Sequence, residues 1–259
     1  MRIAVTGKGG AGKSTVAGAL ARHLAGRGHT VVAVDADPNP NLGLCLGLPQ
    51  DAVELMEPIL NALLASGHTH NDPRPDPEEL LARYGMEAPG GIVVVATGKI
   101  ERPSNACLCC GSHNTTREFF GGLAADGRIV LADLEAGLND LLWARPGPDD
   151  VVLAIAEPSA KAVEVARRAV NIAQGMGVER ILGVANRASD GDVAQLAEAL
   201  GVEVLGVAED PAVEKADEQG VAPFDLDDTS PAMADIARVA DWVLASAPAE
   251  AQAAPAPLR

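Results

Sequence analysis

Between an apolar run at Ile3–Val5 and a helical pattern running from Val16 to Ala25 lies Gly7-Lys8-Gly9-Gly10-Ala11-Gly12-Lys13-Ser14-Thr15. Such a stretch reads as a buried strand, a glycine loop and a helix that opens on the loop. Gly7, Gly12, Lys13 and Ser14 satisfy the phosphate-loop spacing G-x-x-x-x-G-K-S in full. The glycines let the backbone turn its N–H groups inward around an anion, and the helix N-terminus adds a favourable dipole. Lys13 is then placed for the β- and γ-phosphates and the Ser14 hydroxyl for Mg²⁺. Gly9, Gly10, Ala11, Gly12 and Thr15 complete the expected nucleotide cradle.

Short apolar runs recur along the chain at Thr30–Val34, Gly91–Thr97, Arg128–Ala132, Val151–Ala156, Arg180–Ala185 and Val202–Val207. Helical patterns separate the later ones, at Ala160–Gln174 and Asp192–Leu200, and others follow at Ala212–Gln219 and Pro231–Ala245. Strand and helix in this rhythm predict an α/β fold of the P-loop NTPase kind, a mostly parallel central sheet with helices on both faces. With 47% hydrophobic residues but only 2% aromatic, the core must be built from Ala, Val, Leu and Ile. The chain of 259 residues fits one large domain, residues 1–246, followed by an Ala/Pro-rich tail over 247–259 expected to be disordered. Residues 49–90 break the alternation. A helix over Val53–Leu64, a Pro-rich acidic loop carrying His68 and His70, and a helix over Glu78–Tyr84 are expected there as a surface excursion, with the two histidines solvated.

Acidic residues at the carboxyl ends of parallel strands lie where α/β sheets place ligands. Asp35 and Asp37, in Asp35-Ala36-Asp37-Pro38, meet that condition, although either could instead cap the next helix. Asp133, in Asp133-Leu134-Glu135-Ala136-Gly137, stands at the Walker B position and is expected to hold Mg²⁺ directly or through water.

Of the four cysteines, Cys45 reads as a small core filler, whereas Cys107, Cys109 and Cys110 are clustered beside Gly111 and His113. Thiolates at i and i+2 can point to one ion, but Cys107 and Cys109 supply only two of the four ligands a soft tetrahedral metal prefers. A two-fold dimer that sets the pair against its own copy completes four sulfurs. Cys110 ranks second as a ligand, and His113 is either a further candidate or the first turn of a helix from about Asn114.

The formal charge of −16 repels nucleic acid and anionic lipid, and the scattered Lys and Arg form no basic patch to offset it. Neither nucleic-acid nor membrane binding is therefore expected. The N-terminus enters a strand at once and no apolar run approaches a membrane span, so a cytoplasmic location is expected.

Lys8, one residue after the first glycine, completes K-G-G-x-G-K-[ST] over Lys8–Ser14. In this the chain resembles the deviant phosphate-loop ATPases, which include MinD, ParA and the nitrogenase iron protein. The resemblance implies that Lys8 crosses a dimer interface to the partner's nucleotide, that Asp37 in the first switch orients the attacking water, and that Asn186 contacts the adenine. Asp210-Pro211 is expected to border the base pocket. Lys8, Lys13 and Asp37 are thus the expected catalytic set.

Together with C-x-C, the following histidine and Arg117-Glu118, these motifs look like the CooC-type nickel-insertion ATPases that mature carbon monoxide dehydrogenase. That resemblance implies Ni²⁺ or Zn²⁺ held by Cys107 and Cys109 between two subunits, an ATP-dependent homodimer and a client metalloenzyme. Cys110 departs from the pattern. Two other classes share the loop. An iron–sulfur reductase needs a second cysteine past the second switch, and none follows Cys110. A positioning ATPase needs the membrane or DNA surface that the charge disfavours.

Overall fold

The computed structural model describes residues 1–68, 72, 75–99, 115, 118–123 and 127–245, with Trp143 through its backbone only. Eight strands form one sheet in the order β3-β4-β2-β5-β1-β6-β7-β8. They are β1 (Arg2–Gly7), β2 (Val31–Asp35), β3 (Met86–Ala88), β4 (Ile92–Ala96), β5 (Ile129–Asp133), β6 (Val151–Ala156), β7 (Arg180–Asn186) and β8 (Val204–Val207). All neighbours pair in parallel except β3 with β4. Continuous burial of β2, β5 and β6 matches their unbroken apolar sequences, as expected for strands covered on both faces.

The helices are α1 (Lys13–Gly26), α2 (Leu42–Cys45), α3 (Gln50–Leu55), α4 (Ile59–Ala65) and α5 (Pro77–Tyr84), then α6 over 118–122 and α7 (Asn139–Ala144). Beyond them come α8 (Ala160–Gly175), α9 (Asp190–Leu200), α10 (Pro211–Gln219), α11 (Pro223–Leu226) and α12 (Pro231–Ala245). One core layer unites α1, α2 and α12 with one face of the sheet, and a second gathers Ile59 of α4, α6, α8 and α9 on the other. Alanine allows close approach where aromatics are scarce. In α8 the buried residues are Ala162, Ala166, Ala169, Val170 and Ala173, a stripe at helical spacing whose short side chains bring the helix close to the strands. None of the described helices is long and apolar enough to cross a membrane.

One expectation for residues 49–90 needs correction. The helix expected over Val53–Leu64 is two helices, because Pro58 has no N–H to donate and holds an extended backbone before α4. The same region also contributes β3, a three-residue antiparallel edge strand too short to show a period in sequence. α4 is tied to the carboxyl end of β4. Leu60 N donates to Thr97 O at 2.9 Å, and the Asn61 side chain exchanges hydrogen bonds of 3.1 Å each with the Lys99 backbone.

Gly7 is the point where the sheet's centre becomes the loop. It lies opposite Ile155 in the β1–β6 register at φ +156, and a Cβ there would stand 2.3 Å from the Ile155 carbonyl oxygen. A backbone acceptor cannot swing aside as a side chain can. Gly7→Ala is expected to cost about 1–3 kcal/mol of stability through overpacking, read as a lower midpoint in urea denaturation. An unchanged midpoint would mean that β6 gives way freely.

Candidate nucleotide site

The loop that follows β1 closes with a 3.2 Å bond from Ala11 N to Lys8 O, and α1 begins at Lys13 without a side-chain cap. Its first-turn amides are thereby left to an anion, as the phosphate-loop reading requires. Gly12, at φ +88, makes the left-handed turn into the helix, and Lys13 is buried at 7% exposure.

Sheet register brings together the two strand-end aspartates. Asp35 lies opposite Asp133 in the β2–β5 pairing, and Asp133 lies beside Val5 of β1. Their surroundings then assign them different work. Asp35 accepts from Leu42 N at 2.8 Å and from Asp37 N at 3.2 Å, so its carboxylate organises the turn and the start of α2, the capping alternative. Asp133 Oδ2 accepts from Ser14 Oγ at 2.5 Å, while Oδ1 is buried with no hydrogen-bond partner.

Burial, and then the neighbouring Asp133, push Asp35 up to about 8. Burial also pushes Asp133 up to about 6, against the opposing pull of Ser14 and Lys13. An orphaned buried carboxylate oxygen beside a serine hydroxyl is a set of hard donors suited to Mg²⁺, which keeps most of its ligands as waters and substrate phosphates. Ser14 and Asp133 would hold that ion, whose charge when bound offsets that of the phosphates. Among the described residues no group of three or more His, Cys, Asp or Glu is arranged around a metal position.

Asp37 stands at the rim, partly exposed, with Oδ1 accepting from Asn39 N at 2.8 Å. The segment after Asp133 is anchored to the loop. Gly137 N donates to Gly7 O at 3.2 Å and Thr6 Oγ1 donates to Gly137 O at 3.3 Å, so a group that moves the loop also moves the segment after Asp133.

Four side chains differ from, or add to, the sequence reading. Lys8 Nζ lies 3.2 Å from Glu157 Oε1 of its own chain, and that contact first, with Ser159 adding to it, holds the Glu157 carboxyl below the usual range. Glu157 is not among the residues that the sequence motifs single out. It comes directly after β6, at the same carboxyl edge of the sheet where Asp133 ends β5, so the rule that selects the aspartates also finds it. Asp210 starts two helices, its oxygens accepting from Ala212 N of α10 and Ala232 N of α12 at 2.9 Å each. Asn186 is buried, and its Nδ2 donates to Ala11 O at 2.8 Å.

Cys45 is a half-buried thiol packed against α1. A Cβ on Gly18 would meet its backbone, and burial, followed by Asp133 and Asp35, pushes the thiol up to about 12. Cys107, Cys109, Cys110, His113, Arg117 and His70 lie outside the described residues.

A family model described as the CobQ/CobB/MinD/ParA nucleotide binding domain matches residues 3–224. The chain is 32% identical over 252 residues to the carbon monoxide dehydrogenase accessory protein CooC of Rhodospirillum rubrum, covering 91% of this chain and 92% of that protein. It is 30% identical over 255 residues to an uncharacterized ATP-binding protein of Methanocaldococcus jannaschii, covering 94% and 98%. Among solved structures, MinD of Pyrococcus horikoshii in complex with Mg-ADP superposes with a TM-score of 0.72 at 19% identity, over 95% of this chain and 97% of that one. This last likeness shows the fold. With the phosphate loop, the Ser14–Asp133 pair and the family match in agreement, the chain belongs to the CobQ/CobB/MinD/ParA nucleotide-binding family and is a CooC-like P-loop ATPase.

Proposed function

We propose that this ATPase is a metallochaperone that binds Ni²⁺ or Zn²⁺ through Cys107 and Cys109 at a nucleotide-controlled dimer interface and assists metal insertion into a client metalloenzyme such as carbon monoxide dehydrogenase. The observation that carries the reading is the C-x-C pair in a chain 32% identical, over nearly its whole length, to an accessory protein of that enzyme. Residues 1–246 act as one ATPase unit in the cytoplasm, without nucleic acid or membrane as partner.

The steps follow from the side chains. Lys13 and the α1 amides hold the triphosphate, with Ser14 and Asp133 beside it. Lys8 leaves Glu157 and reaches across to the nucleotide of a second subunit, which brings two C-x-C pairs together as four sulfurs. Asp37 orients water for hydrolysis, the dimer then opens, and the metal passes to the client.

Cys107→Ala and Cys109→Ala are each expected to weaken metal binding by at least about a hundredfold, because two of four thiolates disappear from a two-fold site. ATP turnover should be retained. The check is Ni²⁺ and Zn²⁺ titration with mass measurement on anaerobically reduced protein, with and without ATP. About one metal per dimer, lost in the variants and changed by nucleotide, supports the reading, and unchanged affinity in both variants ends it.

A further inference from the structure

We propose that Asn186 is a positioning residue for the phosphate loop itself, acting on the Ala11–Gly12 peptide from the end of β7, and that this role is independent of any base. β7 runs beside β6, which runs beside β1, so the residue ending β7 comes level with the loop that leaves β1. There the Asn186 Nδ2 donates to the Ala11 carbonyl at 2.8 Å, a buried contact between residues 175 apart in sequence. The partner is a carbonyl oxygen, so the nitrogen of the amide must be the atom that faces it.

The second observation is steric. A Cβ on Gly12 would lie 2.2 Å from Asn186 Nδ2, so the amide occupies the space this glycine leaves open. Gly10 and Gly12 are both at positive φ, 81° and 88°, and a peptide between such residues can reorient at little steric cost. In a trans peptide the C=O and the N–H point in opposite directions. Holding the Ala11 C=O toward β7 therefore fixes which way the Gly12 N–H points, and a fixed donor needs no reorganisation when an anion arrives. Ala11 has no exposed surface, so its carbonyl would not find water if the amide were removed.

The amide is suited to this task by its chemistry. A carboxylate at 186 would face the carbonyl with like charge, and an aliphatic residue of similar size would leave the buried acceptor unpaired. One bond uses a single donor, so the second amide hydrogen and the oxygen stay available to a nucleotide. Base and phosphate recognition would then meet at one side chain.

A ligand without a base separates the two roles. Mg-tripolyphosphate and Mg-ATP would be titrated calorimetrically into wild type, Asn186→Leu and Asn186→Ala, with thermal midpoints recorded and Lys13→Ala included as the variant that loses the phosphate site itself. Positioning predicts that both Asn186 variants bind both ligands roughly tenfold more weakly, with unchanged stoichiometry. Tripolyphosphate binding that stays at the wild-type level while ATP weakens would overturn the proposal and leave Asn186 as a base reader. A reduced number of sites at unchanged affinity would also overturn it, since that is the signature of lost folded protein.

Discussion

Replacing Asp133 by asparagine is expected to lower Mg²⁺-dependent ATP turnover by roughly 10²–10³-fold while making the nucleotide-free protein more stable at pH 8. The two effects have one origin. Asp133 and Asp35 sit side by side at the ends of β5 and β2, both fully buried, and only Asp35 has its two oxygens occupied by backbone amides. Both carboxyls are raised above the ordinary value of 3.8. The folded state therefore binds more protons than the unfolded state once pH exceeds about 4.

Stability accordingly falls as pH rises from there through about 6 for Asp133 and about 8 for Asp35, and below pH 4 the penalty is absent. Asparagine keeps an acceptor for Ser14 but removes one buried charge and its repulsion on Asp35. The gain at pH 8 is expected to be about 1–3 kcal/mol, with a flatter pH dependence. Urea denaturation of both proteins at pH 5 and pH 8, paired with turnover assays, checks this. A variant less stable at pH 8 would show that native contacts of the ionised carboxylate outweigh its burial.

Lys8→Ala is expected to keep ATP affinity within a few-fold and to lose ATP-dependent dimerisation altogether. Lys13, not Lys8, is buried in the chain's own loop, so binding in one subunit does not need the second lysine. Lys8 rests instead on Glu157, with about a third of its side chain exposed. An exposed pair of this kind contributes about 0–1 kcal/mol, so releasing Lys8 costs little compared with what a triphosphate offers a cation. Two copies of a chain of charge −16 repel one another, and in the proposed dimer two lysines meeting two triphosphates would oppose that repulsion. Sedimentation velocity with and without ATP reads the outcome. A variant that dimerises normally would remove Lys8 from the coupling.

The parts legible from sequence were those encoded in contiguous residues. The phosphate loop, the buried strands, the helix over Ala160–Gln174 and the final helix need only local spacing, because glycine content and side-chain period act within a few residues of themselves. The break at Pro58 is equally local, because its missing N–H acts whatever the apolar pattern around it. β3 was not, since three residues carry no period.

Asp35 and Asp133 show where local information ends. Each is an aspartate that closes a buried apolar strand; the motif around Asp133 marks it for Mg²⁺, but nothing nearby in sequence decides whether Asp35 starts a helix or faces the ligand. The same holds for Glu157, whose partner Lys8 lies 149 residues away, and for Asn186, whose partner is 175 residues away.

The sequence by itself determined that a strand, a glycine loop and a helix would build an anion site, because backbone geometry at glycine and the helix terminus are local properties. Which contacts those polar groups make around the site was decided only by the tertiary structure. Strand order and register are set by packing two core layers over the whole sheet, and that packing brings Asp133 to Ser14, Glu157 to Lys8 and Asn186 to the loop.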